Sequence, residues 1–338
     1  MSQNPLKLHI DPTPAKSAHE TTNDQAAWHS TRLSPADWLV PFPEACISEL
    51  DNVIQALRSY PQPITHLRPG MLSLTACTRV MSQVQHKIEH QTGLAVVDRI
   101  PVERYSLEEN KAIGWLLGQM LGQVINQKWN GALLYDVMDS GKPLGYGVRR
   151  SVTNLAQPFH TDGAWLWSPP EYVGLFCLQP AAKGGLSRFA SLQTVHQALQ
   201  QHHPELLARL YQPFYWDCQA EHSPNDTPYR RHPVYTHDGT ALVTRYYDNY
   251  IYNGYNLAGE SLDSQGQEAL KVMRSLVEAP DHWVEFRIEK GQFQYLNNRQ
   301  FAHARTEFSD SENSQKRHLL RLWNRNQSTS HLDGPIEP

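Results

Sequence analysis

From about residue 130 onward the chain is a run of short strand-like segments, and no helix alternates with them regularly. The segments are YVGLFCLQP (172–180), GGLSRFAS (184–191), ALVTRYYDNYIY (241–252), WVEFRIEKGQFQYLNN (283–298) and RHLLRLWN (317–324). A doubly wound parallel sheet needs a crossover helix between successive strands, and this pattern lacks one. The expected fold is therefore mainly β with flanking helices, its core a β-sandwich or jelly-roll.

The flanking helices have clear periodicity. In ACISELDNVIQALRS (45–59), Ile47, Leu50, Val53, Ile54 and Leu57 fall on one face. SLEENKAIGWLLGQMLGQVI (106–125) opens with Ser106 and, three residues on, Glu109, the pattern of a capping box. Two more helical stretches are SLQTVHQALQQ followed by PELLARLYQP, and SQGQEALKVMRSLVEA. Residues 1–30 and 326–338 are polar and aperiodic and read as tails, which leaves 31–325 as one domain.

Several function classes are set aside by composition. A net charge of −4 over 338 residues provides no basic field for nucleic acid. No apolar run is long enough for a membrane span, and the first residues lack both the apolar centre of a signal peptide and the Arg-rich character of a transit peptide. Cys46, Cys77, Cys177 and Cys218 form no CxxC pair, so neither a zinc ribbon nor a disulfide framework is indicated. A cytoplasmic protein with reduced thiols and a small-molecule partner is expected, and self-association stays open.

Within the body stands QPFHTDGAW (157–165), in which His160 and Asp162 are two apart between apolar residues. At a strand or its end, such residues converge on one point. The chain holds 17 histidines and three HxD triplets, the outer two in the presumed tails at 9–11 and 331–333. Taken alone, the middle triplet favours the plainer reading, a histidine bonded to a nearby carboxylate. A second segment, 297–324, changes the balance. His303 follows an apolar strand, and Arg317 and Arg321 come after it, four apart. Two imidazoles and one carboxylate on one face suit Fe(II) and leave positions open for a co-substrate and O2. His160, Asp162 and His303 complete such a set. An arginine fork then suits the far carboxylate of an organic acid.

Four stretches in order, FHTDGAW (159–165), LFCLQPAAKGGLSRFAS (175–191), YLNNRQFAHARTEF (295–308) and RHLLRLW (317–323), resemble the TauD/TfdA family of Fe(II)- and 2-oxoglutarate-dependent dioxygenases. The similarity covers roughly residues 90 to 325, and it implies a double-stranded β-helix core (jelly-roll, cupin-like) mainly within those residues. It implies that His160, Asp162 and His303 are the iron ligands and that Arg317 pairs the far carboxylate of 2-oxoglutarate. It also implies that Ser187, after the Gly184-Gly185 turn, assists that carboxylate. Arg321 matches a position that takes the acidic group of taurine in taurine dioxygenase, or else faces the near end of 2-oxoglutarate. Two departures are a longer loop between His303 and Arg317, and Gly291-Gln292 where the family commonly has Gly-Asp. Because the carboxylate is present at Asp162, where halogenating relatives carry Gly or Ala, halogenation is not expected; hydroxylation with release of succinate and CO2 is the default outcome, and desaturation or ring formation would use the same iron centre.

Substrate-binding candidates are Tyr146, Arg149 and Arg150 in GYGVRRSVTN, with one of the two arginines expected to face solvent as in a strand. Trp165 and Trp167 are candidate walls, and Arg245, Tyr246 and Tyr247 could enter from another strand. Arginines near the iron favour a small anionic or zwitterionic substrate. An iron enzyme of similar shape that does not use 2-oxoglutarate, and a catalytically silent binding protein on the same fold, are the alternatives. Structural zinc is weaker, because such sites usually close with four protein ligands.

Overall fold

The computed structural model describes residues 26–326 apart from 144, 146, 224, 238–240 and 312–314, so Tyr146 and the two outer HxD triplets lie outside the described residues. Two sheets organise the chain. The larger runs in the order Leu39–Pro41, Leu94–Asp98, Phe293–Asn297, Tyr172–Gln179, His318–Arg325 and Gln123–Val124, with Tyr135–Val137 also paired to His318–Arg325. The smaller runs Trp283–Phe286, Ser187–Ser191, Phe301–Arg305 and Gln157–His160. Every pairing in the two sheets is antiparallel except Leu39–Pro41 with Leu94–Asp98. This is the expected jelly-roll architecture, built as two facing sheets rather than a closed barrel.

Strand alternation decides which core each side chain joins. Leu94, Val96, Val173, Leu296 and Trp323 turn toward the small sheet and pack with Phe159, Phe189, Ala190, Phe301 and Ala302. Their neighbours Ala95, Val97, Phe293, Tyr295, Leu320 and Leu322 turn the other way, onto the apolar faces of the helices Glu44–Ser59, Thr75–His90 and Leu107–Gln119. The large sheet is thus covered on both faces, and its strands read as nearly continuous apolar runs.

Most expected helices lie where the periodicity put them: Glu44–Ser59, Leu192–His202, Pro204–Leu210 and Ser264–Val277. The capping box is formed, with Glu109 N donating to Ser106 Oγ at 3.3 Å and Ser106 N to Glu109 Oε2 at 2.7 Å. That helix stops at Gln119 instead of running to 125, because Gln123–Val124 pairs with Asn324 and Arg325. A second difference is the helix Asp248–Ala258, which begins within the stretch 241–252 read as one strand and runs beyond it. Its tyrosines are good strand formers, but here they pack against Phe214–Asp217 and around the cavity described below, and tertiary contact overrides propensity. The helix Thr75–His90 was not foreseen either. The expected N-terminal tail is shorter at its inner end. Ala26 and Trp28 are buried, the Trp28 ring stacks on Phe301 at 6.0 Å, and its Nε1 donates to Thr92 O. All four cysteines are buried. Among the described residues no helix is long and apolar enough to cross a membrane.

Two buried histidines make the fold acid-sensitive. His196, bonded through Nε2 to the Tyr211 hydroxyl at 2.8 Å, is pushed down to about 4 by burial. His232 is pushed down to about 3 by burial and by Arg245. Unfolded, both titrate near 6.5. Below that pH the unfolded chain takes up protons that the folded chain refuses, so stability falls as pH falls, until the folded values are reached. The expected loss is about 1.4 kcal/mol per histidine at one pH unit below the unfolded value. Urea unfolding at pH 7.5 and 5.5 measures it, and His196→Gln should remove about half of this contribution.

Candidate active site

The strand Gln157–His160 ends at His160, and the next residues turn out of the sheet. Asp162 therefore reaches His160 through a turn rather than along a strand. The turn is pinned on both sides. Thr161 N donates to Tyr246 O at 2.7 Å, and the Tyr246 N–H returns a bond to Thr161 Oγ1 at 2.9 Å. Asn298 clamps the Asp162 backbone, accepting from its N–H at 2.7 Å and donating to its carbonyl at 2.9 Å. Gly163 follows with φ +65°, and a Cβ there would meet Leu166 Cδ1 at 2.8 Å, so the turn needs glycine.

His303 arrives from the neighbouring strand Phe301–Arg305, directly opposite His160, with ring centroids 4.2 Å apart. Asp162 Oδ1 lies 3.4 Å from His160 Nε2 and 3.9 Å from His303 Nε2. All three residues are buried and their ligand atoms lie within 4.8 Å of one another. His160 Nδ1 donates to Pro158 O at 2.9 Å, which leaves Nε2 as the accepting nitrogen, 2.8 Å from the Gln157 side-chain amide. A main-chain carbonyl behind an imidazole is the arrangement that orients metal-binding histidines. Burial and the neighbouring His160 push His303 down to about 3, so it is neutral and able to ligate.

The carboxylate of Asp162 is charged despite its burial. Burial alone would raise its pKa. Arg321 outweighs it, with Nη1 at 3.1 Å from Oδ2, and with the two histidines holds the group far below the carboxylate range. Trp323 Nε1 adds a bond to Oδ2 at 2.8 Å. Arg321 is fixed in turn by Gln127, which accepts from its Nε at 2.8 Å and donates to its backbone carbonyl.

Two pockets meet at these three residues. One is narrow and lined by Arg317, Ser187, Gln294, Arg305 and His303. Arg317 is buried, lies 5.1 Å over the Phe308 ring, and its Nη1 has no partner among the described residues. Burial lowers it to about 10, so it is charged at neutral pH. Ser187 Oγ is bonded to Gln294 Oε1 at 3.2 Å. The turn before Ser187 has Gly184 at φ +66°, where a Cβ would sit 2.1 Å from Glu307 O. The other pocket is a cavity of about 580 Å³ lined by Arg149, Arg150, Trp165, Asp217, Tyr247 and Tyr250 as well as His160 and Asp162. Arg321, Ser151 and Gln157 line both pockets.

Arg149 and Arg150 both face the cavity, which corrects the expectation that strand alternation would send one outward. They stand at the start of a single 3-10 turn, Arg150–Val152, not in a strand. Three other candidates are placed away from the cavity. The Arg245 guanidinium is spent on the main-chain carbonyls of Ala164, Leu166 and Trp167, and holds the segment after Asp162 in place. Tyr246 is buried in the core. Trp167 is half exposed and packs edge-on against His232. The cavity residues Asp217 and Tyr250 escaped the sequence reading, because nothing in FYWDCQ or in DNYIYNGY signals proximity to residues 50 or more positions away.

The sequence model of the family described as "Taurine catabolism dioxygenase TauD, TfdA family" matches residues 74–323. The chain is 25% identical over 306 residues to FR-33289 synthase of Streptomyces rubellomurinus, covering 88% of each. It is 26% identical over 322 residues to taurine hydroxylase-like protein SAT17 of Stachybotrys chartarum, covering 89% of this chain and 78% of that one. Among solved structures, asparagine oxygenase in complex with Fe(II), 2S,3S-3-hydroxyasparagine and succinate superposes with a TM-score of 0.62 at 18% identity, over 86% of this chain and 94% of that one. The non-heme iron oxygenase OrfP in complex with Fe and alpha-ketoglutaric acid superposes with a TM-score of 0.63 at 14% identity, over the same shares.

Proposed function

The chain belongs to the TauD/TfdA family of Fe(II)- and 2-oxoglutarate-dependent dioxygenases, and on that premise we propose that His160, Asp162 and His303 hold the iron and that Arg317 and Ser187 seat the far carboxylate of 2-oxoglutarate. The substrate in this reading is a small polar metabolite, anionic or zwitterionic, hydroxylated at a C–H bond. The observation that carries it is the convergence of three buried ligand atoms where the two pockets meet. The donor set fits Fe(II): two imidazoles and one charged carboxylate, with no fourth protein ligand among the described residues. The narrow pocket fits a dicarboxylic acid, because the buried Arg317 Nη1, which has no hydrogen-bond partner among the described residues, offers a donor where a carboxylate would lie, on the same wall as the Ser187 hydroxyl.

When bound, Fe(II) with 2-oxoglutarate activates O2, and the overall reaction consumes substrate, 2-oxoglutarate and O2 to give hydroxylated substrate, succinate and CO2. The protein's part is position and shielding. His160 is oriented by Pro158 O and held from the cavity side by the Tyr247 ring, 5.6 Å away. Arg321 and Trp323 fix the Asp162 carboxylate, and Asn298 fixes its backbone. The buried Trp165 ring and the partly buried Tyr250 ring, 5.5 Å apart, line the wall of the cavity beside the arginines.

Succinate release tests this reading. Purified protein with Fe(II), ascorbate and 2-oxoglutarate in air should convert 2-oxoglutarate to succinate slowly, and small acids that fit the cavity should accelerate it. No Fe(II)-dependent succinate with any of a broad panel of acids, from folded protein that binds iron, would overturn it.

A further inference from the structure

The wall of the 580 Å³ cavity is short of acceptors. Its buried polar atoms without a hydrogen-bond partner among the described residues are Arg149 Nε and Nη2, Trp165 Nε1, Arg321 Nη2 and the Ser151 hydroxyl, all able to donate. The acid on the same wall, Asp217, is already supplied. It accepts from Gln219 N at 2.7 Å, from the Gln219 side-chain amide, and from Asn253 Nδ2 at 3.4 Å. Buried donors without acceptors oppose folding, and a guanidinium opposes it most. Other buried arginines here solve the problem internally, Arg245 and Arg305 by donating to main-chain carbonyls.

Arg149 does not. It is 7% exposed. Its contact with an acid is Nη2 to Glu221 Oε1 at 3.1 Å, too far out of line for a hydrogen bond, and the other Glu221 oxygen is engaged by Trp129 N at 2.7 Å. The guanidinium rests 5.6 Å from the Trp165 ring and 6.0 Å from the Trp323 ring, while Arg321 lies 4.9 Å from Trp323. Nε and Nη2 form one edge of the guanidinium, and that edge matches two oxygens of a single oxyanion. Arg321 has less to give, since Nε is held by Gln127 and Nη1 by Asp162.

We propose that Arg149, assisted by the Trp165 indole N–H and by Arg321 Nη2, receives the acidic group of the substrate, and that Arg149 rather than Arg321 is the principal specificity residue for it. The acidic group is a carboxylate, sulfonate or phosphonate, whose shared chemistry is two or more oxygens on one centre. Its position in front of His160 and Asp162 holds the rest of the substrate in the cavity beside the iron ligands. This assignment rests on reading those residues as the iron site.

The test uses the anaerobic Fe(II)–2-oxoglutarate complex, titrated with acetate, methanesulfonate or methylphosphonate at fixed ionic strength, with acetamide as the neutral control. Binding is followed by the change in the visible absorption of the complex. At least one anion should perturb the wild-type spectrum saturably, and acetamide should not. Arg149→Gln should raise that anion's apparent Kd at least about tenfold while leaving the anion-free spectrum in place. Arg149→Lys should fall between. The preferred anion identifies the acid class. No saturable response to any anion, or equal affinity in Arg149→Gln, overturns the proposal. If Arg149→Gln gives no spectrum of its own, Trp165→Phe decides, with a severalfold weakening expected and an unchanged Kd overturning it. A wild-type protein that forms no absorbing complex instead refutes the iron reading, not the role of Arg149.

Discussion

Asp162→Ala is expected to lose metal and stability together. The carboxylate is the one anionic member of the proposed iron set and the counter-charge of the fully buried Arg321. Removing one partner of a buried, hydrogen-bonded ion pair leaves the other uncompensated, at about 3–5 kcal/mol. The Trp323 N–H loses its acceptor as well. Iron affinity should fall beyond the roughly 10–100-fold typical of residues that merely support ligands, and succinate release should fall to background. Asp162→Asn separates the two effects. Its side-chain oxygen can still accept from Trp323 in the same shape, so the variant should be less destabilised than alanine, yet it supplies no anionic ligand. Urea unfolding gives the stability, and iron retained after gel filtration gives the metal. Wild-type iron retention by Asp162→Asn would contradict the assignment.

Arg317→Ala should leave iron binding in place and remove 2-oxoglutarate binding. Its guanidinium is buried beside Ser187 with Nη1 unpartnered, so a carboxylate there would gain charge-assisted hydrogen bonds of about 1.5–3 kcal/mol each. Two such bonds correspond to an increase of more than about a hundredfold in the KM for 2-oxoglutarate. Arg305 lines the same pocket but cannot take over, because its Nη2 already serves the carbonyls of Thr153 and Leu155. Arg317→Lys should recover only part of the loss, since an ammonium lacks the planar fork. An unchanged KM in Arg317→Ala, measured by succinate release, would remove Arg317 from the co-substrate site.

The local parts of this site were legible in the sequence. The spacing of His160 and Asp162 announced that the pair converges, although a turn after the strand and not the strand itself brings them together, and Arg317 and Arg321, four apart, both line the narrow pocket. The capping box at Ser106 and the apolar stripes of the helices are also nearest-neighbour physics, and they formed where expected. What failed were inferences about partners distant in sequence. Arg245 has the residue type of a substrate ligand, but only the fold reveals that three carbonyls of the segment after Asp162 consume it. Arg321 was expected to take the acidic group of the substrate or the near end of 2-oxoglutarate, yet Gln127, 194 residues away, and Asp162 hold two of its nitrogens. The helix Asp248–Ala258 was misread because its tyrosines are strand formers in isolation and cavity walls in context.

The central claim is that His160, Asp162 and His303 bind Fe(II) next to a 2-oxoglutarate seat built on Arg317. The most direct measurement is the visible spectrum of metal-free protein given Fe(II) and then 2-oxoglutarate without oxygen. A weak charge-transfer band should appear only after both additions, vanish in Asp162→Asn, and require far more 2-oxoglutarate in Arg317→Ala. A folded, iron-loaded wild-type protein that shows no band, or a band that survives intact in Asp162→Asn, would contradict the account.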